Sequence, residues 1–401
     1  MEQKRYPFYK LFVYWVIISV LPQFLQLTRE DALGTYLKIV LFGTFVVMVL
    51  FYLLRHNTIA VSYSSFIMAV AFVVLQMFSN FIVNKNAGMD VYISIICSIV
   101  YYMAFCCIFE NETIDMEQLL KICSIFVIMT LYVCVMNFVL YRDQMIPLLT
   151  TYNADAYNID SVFFNRTNCA SFLLVGIIIV YLKIRNNSGS KFLNILVLLL
   201  ASFNLLLTLA RTSIFTFIIF IILAFITKNK NKGLRSIFAL IAICIFIFII
   251  LKESGALDYV IQVVIRPESG VTHRDMIWNN ILNDIKEADF SQFMFGFGYT
   301  YHREAHNTII GTFTKFGLLG SAFYLAVYIK TIGKIVYIIK RERDMGIYFL
   351  CVFFAFIATS FTEEFTPFMS TSMSVIWTFC AVLLPVYYAN YVREKYDYRS
   401  N

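Results

Sequence analysis

The stretch FALIAICIFIFIIL at residues 238–251 contains no charge and no alternation of apolar with polar side chains. A membrane-spanning β-strand alternates over about 10 residues, so this run reads as helix. Working outward, apolar blocks of about 17 to 25 residues recur along the chain between short polar breaks, a length matched to a bilayer at about 1.5 Å of rise per residue. Of 401 residues, 60% are hydrophobic and 14% charged. Soluble domains carry roughly a quarter charged residues, and no soluble core could absorb this much apolar sequence.

The expected architecture is an all-α, polytopic membrane protein. It forms one membrane domain over 1–401, with blocks near 8–27, 34–54, 59–83, 89–109, 119–141, 161–184, 192–209, 212–227, 234–251, 306–328, 345–361 and 368–390. Twelve spans put both termini on one side. With that side cytoplasmic, the inner segments hold twenty of the 32 lysines and arginines. Five of the outer ones, Lys252, Arg266, Arg274, Lys286 and Arg303, fall in one long loop that the positive-inside rule discounts. The expected location is the cytoplasmic membrane, multi-pass. The net charge of +7 is then mostly topology and does not mark a nucleic-acid partner. The nine cysteines all lie in apolar blocks and read as packing residues. The apolar N-terminal run, with no small-residue cleavage site after it, reads as a retained first helix.

Residues 252–305 form the expected large extracytoplasmic loop. Within it, 274–288 has the apolar spacing of an amphipathic helix, Met276, Ile277, Ile281, Leu282 and Ile285. Gly296, Phe297 and Gly298 then make a flexible turn leading into Tyr299, Tyr301, His302, Arg303 and His306. A second, polar outer loop is expected over 141–160.

Three cations at the expected outer face are candidates for binding an anion: Arg166, Arg211 and Arg274. An arginine at the bilayer centre costs about 2.5 to 3.5 kcal/mol on insertion scales, so each needs a partner, a ligand, or a route for snorkelling to the interface. His306 opens a long apolar helix, where the positive helix end favours the neutral imidazole that a general base requires. A helix-terminal histidine can also be a plain cap. Glu30 and Asp31, after the first helix, are the competing base. Glu363 and Glu364, on a turn before Pro367, read as solvated charges. Tyr299 and Tyr301 could stack on sugar rings or sit in an interfacial aromatic belt. There is no P-loop, GxGxxG, HExxH or DxD motif, and neither a metal nor a cofactor is implied.

Taken together these residues resemble the O-antigen polymerase and ligase superfamily, the Wzy-type enzymes of bacterial surface polysaccharide assembly. HNTIIGTFTKFGLLG at 306–320 is similar to that family's His-Asn pair followed by Gly-x-x-Gly. HRDMIW at 273–278 is similar to its Arg-x-x-x-Trp element, GFG at 296–298 to its glycine turn, LLLTLARTSIF at 205–215 to its threonine-to-arginine segment, and FFNRTNCASFL at 163–173 to its Asn-rich helix mouth. The likeness spans roughly 160–325.

It implies a GT-C-like fold and an inverting, metal-independent glycosyltransferase acting at the outer face. Donor and acceptor would be polyprenyl-diphosphate-linked glycans, with membrane lipid, a flippase and a chain-length regulator as partners. His306 would be catalytic; Arg211, Arg274 and Arg166 would bind the diphosphate; Asn307, Trp278, Tyr299, Tyr301 and Arg303 would support the site or contact sugar. A ligase handing the glycan to another acceptor shares the same donor chemistry. A flippase or transporter is the competing class; it would carry charges along its helices and pseudo-repeats, whereas here the charges gather at the outer ends.

Overall fold

A computed structural model of the chain describes residues 8–25, 33–55, 61–83, 88–151, 161–163, 165–228, 274–299, 301, 304–369 and 371–397. The described residues form helices and no strand. Seven helical segments are long and apolar enough to cross a membrane: Tyr63–Phe81, Val91–Ile108, Met116–Gln144, Arg166–Arg185, Thr308–Arg341, Arg343–Ser360 and Met373–Tyr396. Shorter apolar helices cover Phe8–Leu21, Ile39–Arg55, Lys191–Leu207 and Arg211–Ala224. The chain is a helical membrane protein. The expected block 234–251 and the loop stretch 252–273 lie outside the described residues.

In chain order the helices are α1 (Phe8–Leu25), α2 (Leu33–Arg55), α3 (Tyr63–Met77), α4 (Met89–Tyr102), α5 (Met116–Thr151), α6 (Arg166–Arg185), α7 (Lys191–Leu207), α8 (Arg211–Lys228), α9 (Arg274–Glu287), α10 (Phe290–Phe295), α11 (Thr308–Arg341), α12 (Arg343–Ser360), α13 (Ser372–Trp377) and α14 (Leu384–Asp397). A π-helical stretch extends α3 (Phe78–Val83) and α4 (Met103–Ile108), and another (Thr378–Leu383) joins α13 to α14. The polar loop expected from residue 141 begins later. The chain leaves helical geometry at Tyr141 (φ −123°, ψ 17°) and then re-enters helix as far as Thr151. A single kinked residue interrupts a helix without ending it.

Chain contacts divide the protein into two units. Unit 1 comprises 1–122, 274–346 and 360–401; unit 2 comprises 123–273 and 347–359. Aromatic rings fill the middle of unit 1: Phe12 stacks on Phe379 at 4.4 Å and Trp15 lies 4.4 Å from Phe105. The π-helical stretch after α4 disturbs the regular backbone ladder, and Tyr387 Oη donates to the Phe105 carbonyl there at 2.6 Å.

Unit 2 is built around α6, buried from Cys169 to Val180. Gly176 permits its close packing, because a Cβ there would come 2.3 Å from Thr130 Oγ1. Asn137 Nδ2 donates to Asn204 Oδ1 at 3.0 Å between α5 and α7, and Lys183 Nζ donates to Ser124 Oγ at 2.7 Å.

In unit 1 the GFG turn meets the Gly-x-x-Gly of α11. Gly317 (φ 65°, ψ −160°) breaks α11, depriving the carbonyls before it of their helical donors. Phe297 N donates to Thr314 O at 2.6 Å, Gly298 N donates to Lys315 O at 3.2 Å, and Ser79 Oγ also donates to Lys315 O. Buried irregular backbone requires such internal partners. The approach is open only to glycine: a Cβ on Gly317 would meet the Met294 carbonyl at 2.5 Å, and one on Gly296 the Phe316 nitrogen at 2.4 Å. Gly317→Ala is therefore expected to lose about 1–3 kcal/mol through backbone strain, with the clash in addition. Thermal unfolding of the detergent-solubilised protein measures this.

At another corner of unit 1, Glu342 accepts from Lys395 Nζ at 2.7 Å and Tyr388 Oη at 2.6 Å. Burial alone pushes its carboxyl up, but these donors and the Lys395 charge outweigh burial and hold it below the usual range. Its stabilising contribution is present above the unfolded-state pKa and lost as pH falls through the lower folded value. The thermal midpoint should drop on acidification through the carboxylate range. Glu342→Gln should flatten that drop and cost about 1 kcal/mol at neutral pH, the pair being partly exposed.

Candidate functional site

Five polar contacts in unit 1 tie together segments far apart in the chain. The loop helix α9 begins at Arg274, and one turn on, Trp278 Nε1 donates to the Ala305 carbonyl at 2.8 Å. Ala305 is fully buried. The next residue, His306, has a left-handed backbone (φ 45°), uncommon for a residue with a side chain, although histidine is among those that tolerate it best.

Asn307 holds that turn in place. Its Oδ1 caps α11, accepting from Ile309 N at 2.9 Å and Ile310 N at 3.0 Å, while its Nδ2 donates to the Phe361 carbonyl at 2.9 Å. The first helical residue is thus Thr308, and His306 precedes the helix by two residues. Thr308 Oγ1 donates to Glu363 O at 2.8 Å and accepts from Phe365 N at 2.8 Å. Arg274 Nη2 meets Glu363 Oε1 at 3.2 Å and closes the ring.

Glu363 and Glu364, expected to be solvated, are instead paired. The Glu363 side chain is 10% exposed and that of Arg274 19%. Glu364 pairs with Lys315, on the first segment of α11. Gly311 leaves the space for this, since a Cβ there would come 2.4 Å from the Glu364 carboxyl carbon. The physical reason is burial: Lys315 in an apolar helix and the half-buried Arg274 are costly without a counter-charge, and adjacent acids on a nearby turn supply it. The His306 imidazole is 37% exposed and stands 3.9 Å from Glu304, which is open to solvent.

Tyr301 Oη donates to Asp284 Oδ2 at 2.5 Å, and its ring stacks on Phe297 at 5.2 Å. Tyr299 N donates to Asn80 Oδ1 at 2.8 Å, and its ring meets Phe316 edge-on at 5.6 Å. Its hydroxyl is buried, and burial pushes the phenol up to about 12. Both tyrosines are therefore held by contacts within unit 1. Arg303, Glu30 and Asp31 lie outside the described residues.

Arg166 and Arg211 belong to unit 2 and are partly buried. Arg166 opens α6, capped by Asn165 Oδ1, which accepts from Thr167 N at 2.9 Å. Arg211 opens α8, after Leu209 turns the chain with φ 52°. The short connections 186–190 and 208–210 make α7 antiparallel to both α6 and α8, and α8 packs on α6. The two arginines thus start parallel helices at the same end of unit 2.

Comparison with protein-family models and with curated proteins finds no match for the chain. The functional reading therefore rests on the residues themselves.

Of the expected site residues, unit 1 brings Arg274, Trp278, His306 and Asn307 together, with Tyr299 and Tyr301 alongside; unit 2 places Arg166 and Arg211 at one end. No cluster of three or more potential metal ligands occurs among the described residues. Sequence reasoning missed Lys315 and the pairing of Glu363 and Glu364. The available signal was a lone lysine within TFTKFGLLG, which demanded an acid that only a few polar breaks between apolar blocks could supply.

Proposed function

We propose that the protein polymerises polyprenyl-diphosphate-linked oligosaccharide repeat units into a surface polysaccharide, at the outer face of the cytoplasmic membrane. In this reading the chain spans the membrane twelve times with both termini cytoplasmic. The observation that carries it is the closed ring joining Arg274, Glu363, Thr308, His306 and Trp278. It ties the start of the Arg274 helix to the turn that carries His306, in the residues that resemble the polymerase and ligase motifs.

In the proposed reaction an acceptor sugar hydroxyl attacks C1 of the donor glycan from the face opposite the diphosphate. The new C1–O bond forms as the C1–O bond to phosphate breaks. His306 takes the hydroxyl proton, and polyprenyl diphosphate leaves as the anion. Guanidinium groups match diphosphate oxygens in bidentate geometry and neutralise the leaving charge, a task that a divalent metal performs in other enzymes. Arg274 contacts Glu363 through one nitrogen at 3.2 Å, so diphosphate oxygens would compete with a single-point contact. Arg166 and Arg211 are assigned to diphosphate binding by the motif likeness.

In cells, Ala at Arg211, Arg274 or His306 should leave the protein in the membrane while long-chain polysaccharide disappears and single repeat units accumulate. A ligase would instead accumulate finished glycan on the polyprenyl carrier. A second reading, translocation of a lipid-linked glycan, draws on the Lys315–Glu364 pair, because charged pairs within apolar segments often line transport paths. Under that reading Lys315→Met would stop passage of a labelled lipid-linked glycan across vesicles, whereas the polymerase reading expects no such passage.

A further inference from the structure

The other notable charge cluster of unit 1 surrounds a cavity of about 80 Å³ between the end of α4, α11 and α14. Its polar lining includes Glu110, Lys330, Lys334, Asn390 and Arg393; Tyr102 and the aliphatic side chains of α11 and the segment 382–386 form an apolar wall. Lys330 Nζ lies 3.5 Å from Glu110 Oε1 and 3.3 Å from Ser65 Oγ. Glu110 also accepts from Ser62 Oγ at 2.9 Å. Burial pushes the Glu110 carboxyl up, yet hydrogen bonds from Ser65 and Ser62 and the Lys330 charge outweigh it, so Glu110 is held below its ordinary value and stays ionised.

That single carboxylate faces three cations. Lys334 Nζ reaches only the neutral Asn390 Oδ1, at 3.4 Å, and no carboxylate lies within ion-pair distance of it among the described residues. Asn390 cannot turn to compensate, because its Nδ2 donates to the carbonyls of Glu110 at 2.7 Å and Glu112 at 3.0 Å. Arg393 is exposed. A partly buried site with surplus positive charge is costly unless an anion fills it.

We propose that this cavity binds a phosphate anion at Lys330, Lys334 and Arg393, the apolar wall favouring the phosphate of an anionic phospholipid over free phosphate. Basic pockets between membrane helices on the cytoplasmic side bind acidic head groups in this way. On the proposed orientation this end faces the cytoplasm, but the inference does not depend on the polymerase reading. A phosphodiester would bring oxygens to Lys334 and Arg393 while its chains lie against Tyr102 and the aliphatic wall.

Native mass spectrometry of the full-length protein with phosphatidylglycerol, phosphatidylcholine or inorganic phosphate added tests the site. Phosphatidylglycerol should be retained in preference to phosphatidylcholine. Lys334→Gln and Arg393→Gln should each weaken its retention about fivefold, and Glu110→Gln should strengthen it. Lys286→Gln, which removes an exposed lysine of α9, should change nothing. If inorganic phosphate displaces the lipid and Lys334→Gln abolishes that competition, the phosphate site stands and free phosphate is a second source. Equal losses from Lys286→Gln, or unchanged retention in both Lys334→Gln and Arg393→Gln, overturn the proposal.

Discussion

Arg274→Ala is expected to destabilise the protein by about 3 kcal/mol, at the lower end for a broken buried ion pair because Arg274 keeps 19% exposure. That cost reflects the Arg274 charge lost to the Glu363 carboxylate while Thr308 still holds its backbone in the turn. Replacing both partners by apolar side chains, Arg274→Met with Glu363→Leu, should recover part of the lost stability, because both charges of the pair are then removed together. The double variant also separates structure from function. It is expected to fold and to reach the membrane yet make no long polymer, because the guanidinium that would neutralise the diphosphate is gone. Thermal unfolding and gel analysis of cell-surface glycan measure the two halves. Full-length polymer from the double variant would show that Arg274 serves only the fold.

His306→Ala is expected to lower the rate of glycan elongation about 10²- to 10⁴-fold, the usual worth of a positioned general base. The fold should survive, because the imidazole is more than a third exposed and its charged neighbour, Glu304, is exposed too. The left-handed backbone at φ 45° introduces a complication, since alanine carries a penalty of roughly 1–2 kcal/mol there. His306→Asn meets it, because asparagine tolerates that conformation. His306→Asn should melt near the wild-type temperature, His306→Ala somewhat below it, and both should fail to elongate. If His306→Asn elongates at the wild-type rate, the base lies elsewhere, with Glu30 and Asp31 the next residues to replace.

Much of this arrangement could be read directly from the chain, for a simple reason. Apolar length registers bilayer thickness residue by residue, so blocks such as 161–184 and 192–209 reappear as α6 and α7 with ends shifted by a few positions. The structure adds caps that the apolar blocks did not mark: Asn165, Ser190 and Asn307 each precede a helix and accept from its first turn. The helix 274–287 follows from apolar spacing, although only Ile281 of its apolar set is fully buried, while Met276 and Leu282 stay exposed.

What the chain did not disclose is pairing across long separations. Arg274 and Glu363 are 89 residues apart, and Lys315 and Glu364 are 49 apart. Neither spacing nor composition chooses between such partners; only the packed helices do. The glycine motifs show the same limit. GFG and Gly-x-x-Gly were visible as separate features, but their meeting depends on the break at Gly317 and on the carbonyls it leaves for Phe297 and Gly298 to satisfy. His306 was expected inside the first turn of its helix, and Asn307 displaced it by taking the cap.

The most direct test of the central claim is elongation by the purified protein in lipid vesicles, supplied with a polyprenyl-diphosphate-linked repeat unit in the presence of a metal chelator. The account predicts a ladder of lengthening glycans with polyprenyl diphosphate released in step, unaffected by the chelator and absent with His306→Asn. A wild-type protein that leaves the repeat unit unjoined, or that joins it only when a divalent metal is restored, would contradict it.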